Sequence, residues 1–393
     1  MTPAAPRATN PPIWLLACAA FTVGCGMRLL DPLLPMLARE FAVGLGEVAP
    51  LIGGFAIAYG LGQLASGPLG DRFGKLRVAG LAVILYAATL LAASQAPGLG
   101  ALLGMRVLSG LAAAAVIPLL MAHIADTVPY ETRQGVIGRF LTGMVMAQLL
   151  AGPVSGAVGE HFGWRATFLL LGGAAALVGL VFALRLGPAL WRVPEGPARG
   201  AGMRGFLRLF DRAPQRRLML AAGLDGMLLF GGALPFVASL LIEGFGLSAT
   251  EAGLAAAGFG LGSLVYTRAA PVLVKRYGER GMVLRGGAGL AACLAAIGLA
   301  PAWWVAAAAQ AAAGLVFFMF HGVLQARATE AVPEARGTAV AGFAMVLFLG
   351  QSLGAVVFGA LIVGAGFGAA FLVAAAGILA TALWVRAAVI PRR

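Results

Sequence analysis

Twelve runs of apolar residues, parted by short polar gaps, constrain this chain more than any other feature. A helix needs roughly 20 apolar residues to cross the hydrocarbon core of a bilayer, and each run is about that long. Their bounds are 13–37, 49–70, 78–96, 99–122, 136–158 and 166–186, then 218–241, 251–270, 282–300, 303–326, 338–363 and 367–388. We number them spans 1 to 12. Composition excludes the alternatives. Of 393 residues, 61% are apolar and only 11% charged, against about 25% charged in an ordinary soluble domain. A disordered chain fails on the same figures. The 58 glycines suit helices that approach one another closely. The chain therefore reads as an all-α polytopic membrane protein. Arg7 followed by the run from Ile13 has the outline of a signal peptide, but the run continues to Leu34 without a convincing small-residue cleavage site. It is read as an uncleaved first span.

Orientation follows from the basic residues. With the N-terminus in the cytoplasm, 24 of the 28 Lys/Arg lie inside and only Arg39 and Arg165 lie outside, while Arg28 and Arg106 fall within spans. Such a bias sets topology. The expectation is a multi-pass protein of the inner membrane with both termini cytoplasmic. The net charge of +13 is scattered among these gaps and builds no basic face, so the partner is the lipid bilayer and not nucleic acid. Cys18, Cys25 and Cys293 all sit in apolar runs, with no CxxC or Cys/His cluster, which leaves no disulfide framework, metal or cofactor to expect. A monomer is expected.

The longest gap, 187–217, carries seven arginines and four prolines and divides the chain into 1–186, a cytoplasmic linker, and 218–393. The halves repeat each other. Residues 148–168 align with 351–371 at a constant offset of 203, and Gly74 of "DRFGK" stands opposite Gly278 of "KRYGE". A parallel repeat of six spans implies two pseudo-symmetric six-helix bundles about an axis along the membrane normal.

The segment "GPLGDRFGKLR" supplies Gly67, Asp71, Arg72, Gly74, Lys75 and Arg77 between spans 2 and 3. It resembles the signature loop of the major facilitator superfamily. That resemblance, with the six-plus-six repeat, covers essentially the whole chain. It implies alternating access, with Asp71 meeting the inner N-terminus of span 11 to favour the outward-open state. The alternative is that the loop only fixes topology. Arg106 in "RVLSGLAAA" of span 4 resembles the Arg-x-x-x-Gly motif of proton-coupled members. Asp31 in "RLLDPLLP" of span 1 resembles the Asp-x-x-x-Pro motif of twelve-span drug:proton antiporters. Gly152, Pro153 and Gly156 in "AGPVSGA" of span 5 partly match the Gly-Pro motif of exporters, with Gln148 and Ala157 standing where that pattern has glycine.

A charge inside a span costs at least about 2.5–3.5 kcal/mol on insertion scales and so normally meets a partner or a wet cavity. Arg28 and Asp31, three residues apart, share one helix face. Three readings stay open: a pair that neutralises itself, a triad with Arg106 in which Asp31 carries the proton, or an anion clamp of Arg28 and Arg106. Asp225 in span 7 is either a second proton site or a group reaching the inner interface, and His321 reads as a packing or interface residue. Tyr59, Gln63, Gln148, Phe230, Tyr266, Gln310 and Gln351 are the candidate substrate contacts, with Met144, Met146 and Phe236 beside them. No pattern suggests catalysis, and there is no Walker A segment, so the chain is not expected to be an enzyme. The expected activity is proton-coupled efflux of a small organic molecule, drug-like or a metabolite. Its rivals are an organic-anion transporter and a non-transporting receptor or assembly protein.

Overall fold

The computed structural model describes residues 12–190, 208–332 and 336–390. The part of the linker that holds Arg192, Arg199 and Arg204 lies outside the described residues. Every regular element among the described residues is a helix. Nine helical segments there are long and apolar enough to cross a membrane. Two of them, Ala249–Gly298 and Gly337–Ala388, turn back at Gly278 and Gly366 and hold two spans each. With span 1, which begins as Ile13–Arg28, the twelve expected spans are accounted for.

The repeat is visible in the backbone. Gly74, Gly163, Gly278 and Gly366 have φ of 91°, 81°, 59° and 81°, a region that L side chains rarely adopt. They close the turns between spans 2 and 3, 5 and 6, 8 and 9, and 11 and 12. A three-span unit thus occurs four times, nested as three plus three within each half.

We term the end carrying the basic loops the inner end and the other the outer end. At the inner end Lys75 pairs with Asp126 in the first half, and Arg327 pairs with Glu279 and Glu330 at the matching places in the second. Arg77 donates to the Leu190 carbonyl at 2.8 Å and Arg280 to that of Ile390 at 3.1 Å. Each half therefore ties down its own C-terminal end with an arginine just before its third span. At the outer end Glu40 accepts from Trp164 Nε1 at 2.7 Å and Arg165 Nη1 at 2.5 Å. Leu177, Leu180 and Leu184 of span 6 are 62%, 54% and 74% exposed; a bilayer covers such a face, whereas water would not tolerate it.

The two bundles meet along two seams. Span 5 packs on span 8, where Gly152 faces Gly253 and a Cβ on Gly156 would strike the Ala249 carbonyl. Span 2 packs on span 11 through glycines seven residues apart. Gly46 lies against Gly359, Gly53 against the Ser352 carbonyl and Gly60 against the Met345 carbonyl, at 3.4, 3.0 and 3.1 Å from where a Cβ would stand. At the next glycine of the series, Gly67, no described residue comes within 4 Å of where a Cβ would stand. This seam is joined from the outer end to the middle and parted at the inner end.

Candidate functional site

Span 1 does not run through as one helix. It stops at Arg28, passes through turns at 29–33 and resumes as Leu34–Glu40. Pro32 has no N–H to continue the ladder and restricts Asp31 before it. The break places two charges at the centre of the molecule. Arg28 Nη1 donates to Asp31 Oδ2 at 3.1 Å, and Arg28 Nε donates to Gln148 Oε1 of span 5 at 3.3 Å.

These three residues line a cavity of about 30 Å³ together with Gly152. The second half closes it with Leu234, Phe259 and Gln310, and with Ala256 and Ala257 at the kink of span 8. In this conformation it has room for about one water molecule. Asp31 Oδ1 and Gln310 Oε1 are both buried without a hydrogen-bond partner among the described residues. Buried acceptors are normally satisfied, so the cavity calls for a donor from whatever enters it.

The structure thus brings Arg28, Asp31, Gln148 and Gln310 together, as well as Gly152 of the exporter-type motif. Arg106 does not line the cavity, although it stays within electrostatic reach of Asp31. That side chain is 1% exposed and donates to the carbonyls of Gly26, at 3.1 Å through both terminal nitrogens, and of Leu51 at 3.2 Å. Its guanidinium lies 4.4 Å over the Phe55 ring. Tyr59 packs on Phe348 with ring centroids 4.6 Å apart, Tyr266 stacks on Phe318, and Gln63 and Gln351 are buried. None of those four lines the cavity, nor does Phe230, whose ring meets Phe317 and His321. Met144 lies beside Gly24, and Phe236 is fully buried.

Asp225 is 0% exposed and pairs with His321, whose Nδ1 stands 2.6 Å from its Oδ2. The two lie 96 residues apart, a pairing that the sequence does not show. At the loop, Arg72 covers Phe73 at 5.1 Å. Asp71 makes no hydrogen bond or ion pair among the described residues, and Pro153 sits within the helix of span 5. The cavity residues overlooked in the sequence were Leu234, Ala256, Ala257 and Phe259. The repeat held a signal for two of them: Phe259 and Leu234 stand one repeat after Phe55 and Asp31. In the same way Gln310 is the repeat mate of Arg106.

A family model described as Major Facilitator Superfamily matches residues 16–236 and 218–393. Among curated relatives, a probable transporter of Streptomyces coelicolor, SCO4007, is 31% identical over 351 residues, covering 84% of this chain and 77% of that one. Some partial matches have named cargo. The tetracenomycin C resistance and export protein of Streptomyces glaucescens is 31% identical over 189 residues, covering 46% of this chain and 34% of that protein. The 4-hydroxybenzoate transporter PcaK of Pseudomonas aeruginosa is 28% identical over 190 residues, 47% of this chain and 41% of that protein. Among solved structures, a D-xylose-proton symporter superposes with a TM-score of 0.76 at 17% identity, covering 96% of this chain and 97% of that one.

Proposed function

The chain belongs to the Major Facilitator Superfamily, a family of membrane transporters of small molecules and not of enzymes, and from that premise we propose that it exports a small organic molecule in exchange for protons. One observation carries this reading: the Arg28–Asp31 pair lines a cavity that the two halves close jointly. An acid at that place is reached from whichever side the bundles open. While ionised, Asp31 is held by Arg28. A proton on Asp31 removes that ion pair, and a donor on the substrate competes with the proton for the same carboxylate. Two ligands that exclude each other from one site are exchanged, which is antiport. Export is supported by Gly152 and Gly156 sealing the seam at the outer half, and by likeness to a tetracenomycin C resistance and export protein. The basic end is assigned to the cytoplasm of a bacterial-type cell on its charge, which makes the parted seam an inward-facing geometry.

The test is flux in proteoliposomes with an imposed pH gradient, screening cationic, neutral and anionic compounds. Substrate should move against the proton flow, and Asp31→Asn should abolish the drive. Transport that ignores the pH gradient for every compound carried would refute proton coupling. A second reading has one specific support. Arg28 lines the cavity, and once Asp31 is protonated it is free to bind a carboxylate. Proton and anion would then bind together, giving symport. Uptake of 4-hydroxybenzoate along the proton gradient would select this reading over antiport.

A further inference from the structure

The Asp225–His321 pair lies outside the central cavity and is not needed for the exchange described above. It is nevertheless buried where charge is costly. Asp225 ends the α-helical part of span 7, Ala213–Asp225, and the π-helical stretch Gly226–Ala233 begins at the next residue. His321 faces it from span 10, its ring among those of Phe230, Phe317 and Phe343 at 5.8, 4.8 and 5.9 Å. The side chains are 0% and 10% exposed respectively, and Asp225 Oδ1 has no partner among the described residues.

Among the described residues no other ionisable side chain bonds to either member of the pair. The nearest charges in span 7 are Arg216 and Arg217, eight or more residues inward, bonded to the carbonyls of Phe210, Asp211 and Ala388. In span 10, Arg327 is held by Glu279 and Glu330. Span 11 has no titratable side chain between 338 and 363. Span 8 carries Glu251 at its outer end and Arg268 toward its inner end, with the phenol of Tyr266 stacked on Phe318, and the Arg285 guanidinium of span 9 lies over the Tyr277 ring.

We propose that Asp225 and His321 form a second proton-binding site, built into the second half between spans 7 and 10. With Nδ1–H donating to the carboxylate and Nε2 bare, the pair has a net charge of −1. A proton taken from water onto Nε2 makes an imidazolium–carboxylate pair with no net charge. An unbalanced charge in an apolar surround is costly, and a paired one much less so. His321 is the member with an exposed edge through which the proton comes and goes. An imidazole is also the side chain whose charge ordinarily changes between pH 5 and 8. Because Asp225 borders the π-helical stretch and Phe230 lies within it, loading the pair changes the charge at the point where span 7 changes its winding.

The chain has three histidines, His123, His161 and His321. Replacing His123 and His161 with Gln leaves His321 as the one imidazole, with Asp31 and Asp225 intact. The full-length protein in lipid nanodiscs, labelled with ¹⁵N-histidine, is titrated from pH 5 to 9 without substrate. The expected result is a single imidazole that passes between doubly and singly protonated forms in that range, with the position of the change shifted by Asp225→Asn. An imidazole held in one protonation state throughout overturns the proposal, as does a titration identical in Asp225→Asn; the pair is then a fixed bond between spans 7 and 10. The first measurement needs no change to the pair, so a poorly folding Asp225→Asn does not rescue the idea. The readout is independent of transport and of Asp31, so it separates failure of this site from failure of the central one.

Discussion

Both terminal nitrogens of Arg106 donate to one atom, the carbonyl oxygen of Gly26, at 3.1 Å each. Gly26 lies in the last turn of the helix Ile13–Arg28, where carbonyls lack intrahelical partners and a cation is favoured by the helix dipole. Arg106 is thus a cap. It fixes the point where span 1 breaks, and the break aims Arg28 and Asp31 at the cavity. Close packing adds to this: a Cβ on Gly26 would collide with the Tyr86 hydroxyl.

Arg106→Gln should therefore act first on stability. Glutamine cannot serve both Gly26 and Leu51 with the geometry of a guanidinium. Each carbonyl left unpartnered costs about 1–3 kcal/mol. Thermal unfolding in detergent should show a lower Tm, with Arg106→Lys intermediate. A Tm equal to that of the parent protein would mean that the cap carries no weight.

Asp31→Asn should keep the fold and lose the coupling. Asparagine retains an acceptor for Arg28 Nη1 but carries no titratable proton. Facilitated equilibration of substrate should survive, while accumulation driven by a pH gradient should vanish. Asp31→Glu should restore part of it. Concentrative transport by Asp31→Asn would shift the coupling elsewhere, with the Asp225–His321 pair next in line.

The outer seams should resist bulk where the structure is closed. Gly156→Val would drive its side chain into the Ala249 carbonyl, and overpacking of this kind costs about 1–3 kcal/mol. It should destabilise the conformation described here and raise labelling of cysteines placed at the outer ends of spans 1 and 7. Gly67→Val, seven residues past Gly60, enters open space. It should leave this conformation untouched and hinder the opposite one. Equal labelling in the two variants would contradict the seam geometry.

The bilayer explains why so much is legible in the sequence. Apolar run length fixes the spans, and the offset between Gly74 and Gly278 gives the repeat. Arg28, Asp31, Gln148 and Gln310 stood out because polar groups inside spans are costly and so must meet something. Less was legible wherever the partner is backbone or distant in sequence. The sequence marked Arg106 as a charge to be paired but could not show that its partners are the carbonyls of Gly26 and Leu51. Span 1 looked continuous from 13 to 37 because its hydrophobicity does not change at the break; only Pro32 hints at it. The π-helical stretch 226–233 leaves no trace in a run where every face is apolar. Asp225 and His321 were each visible, but their meeting depends on how spans 7 and 10 are rotated, which uniform apolarity does not encode.

Asp71 should matter in the state opposite to this one. Here it has no hydrogen bond or ion pair among the described residues, and the inner end of the seam between spans 2 and 11 is parted at Gly67. The partners Gly359, Ser352 and Met345 recede by seven residues as Gly46, Gly53 and Gly60 advance by seven, so the same register sets Gly67 opposite Thr338. Closing that last step brings the end of span 2 to the start of span 11, where exposed backbone N–H groups favour an anion. Such a contact is worth about 0.3–1 kcal/mol when exposed and up to about 2 kcal/mol when partly buried. At 1.4 kcal/mol the ratio of the two states changes about tenfold, so Asp71→Asn should move the resting population toward the inward-facing form. The measurement is labelling of cysteines at the outer ends of spans 1 and 7, after replacement of Cys18, Cys25 and Cys293. Reduced outer labelling in Asp71→Asn supports a gate, and identical labelling leaves Asp71 with a topological role alone.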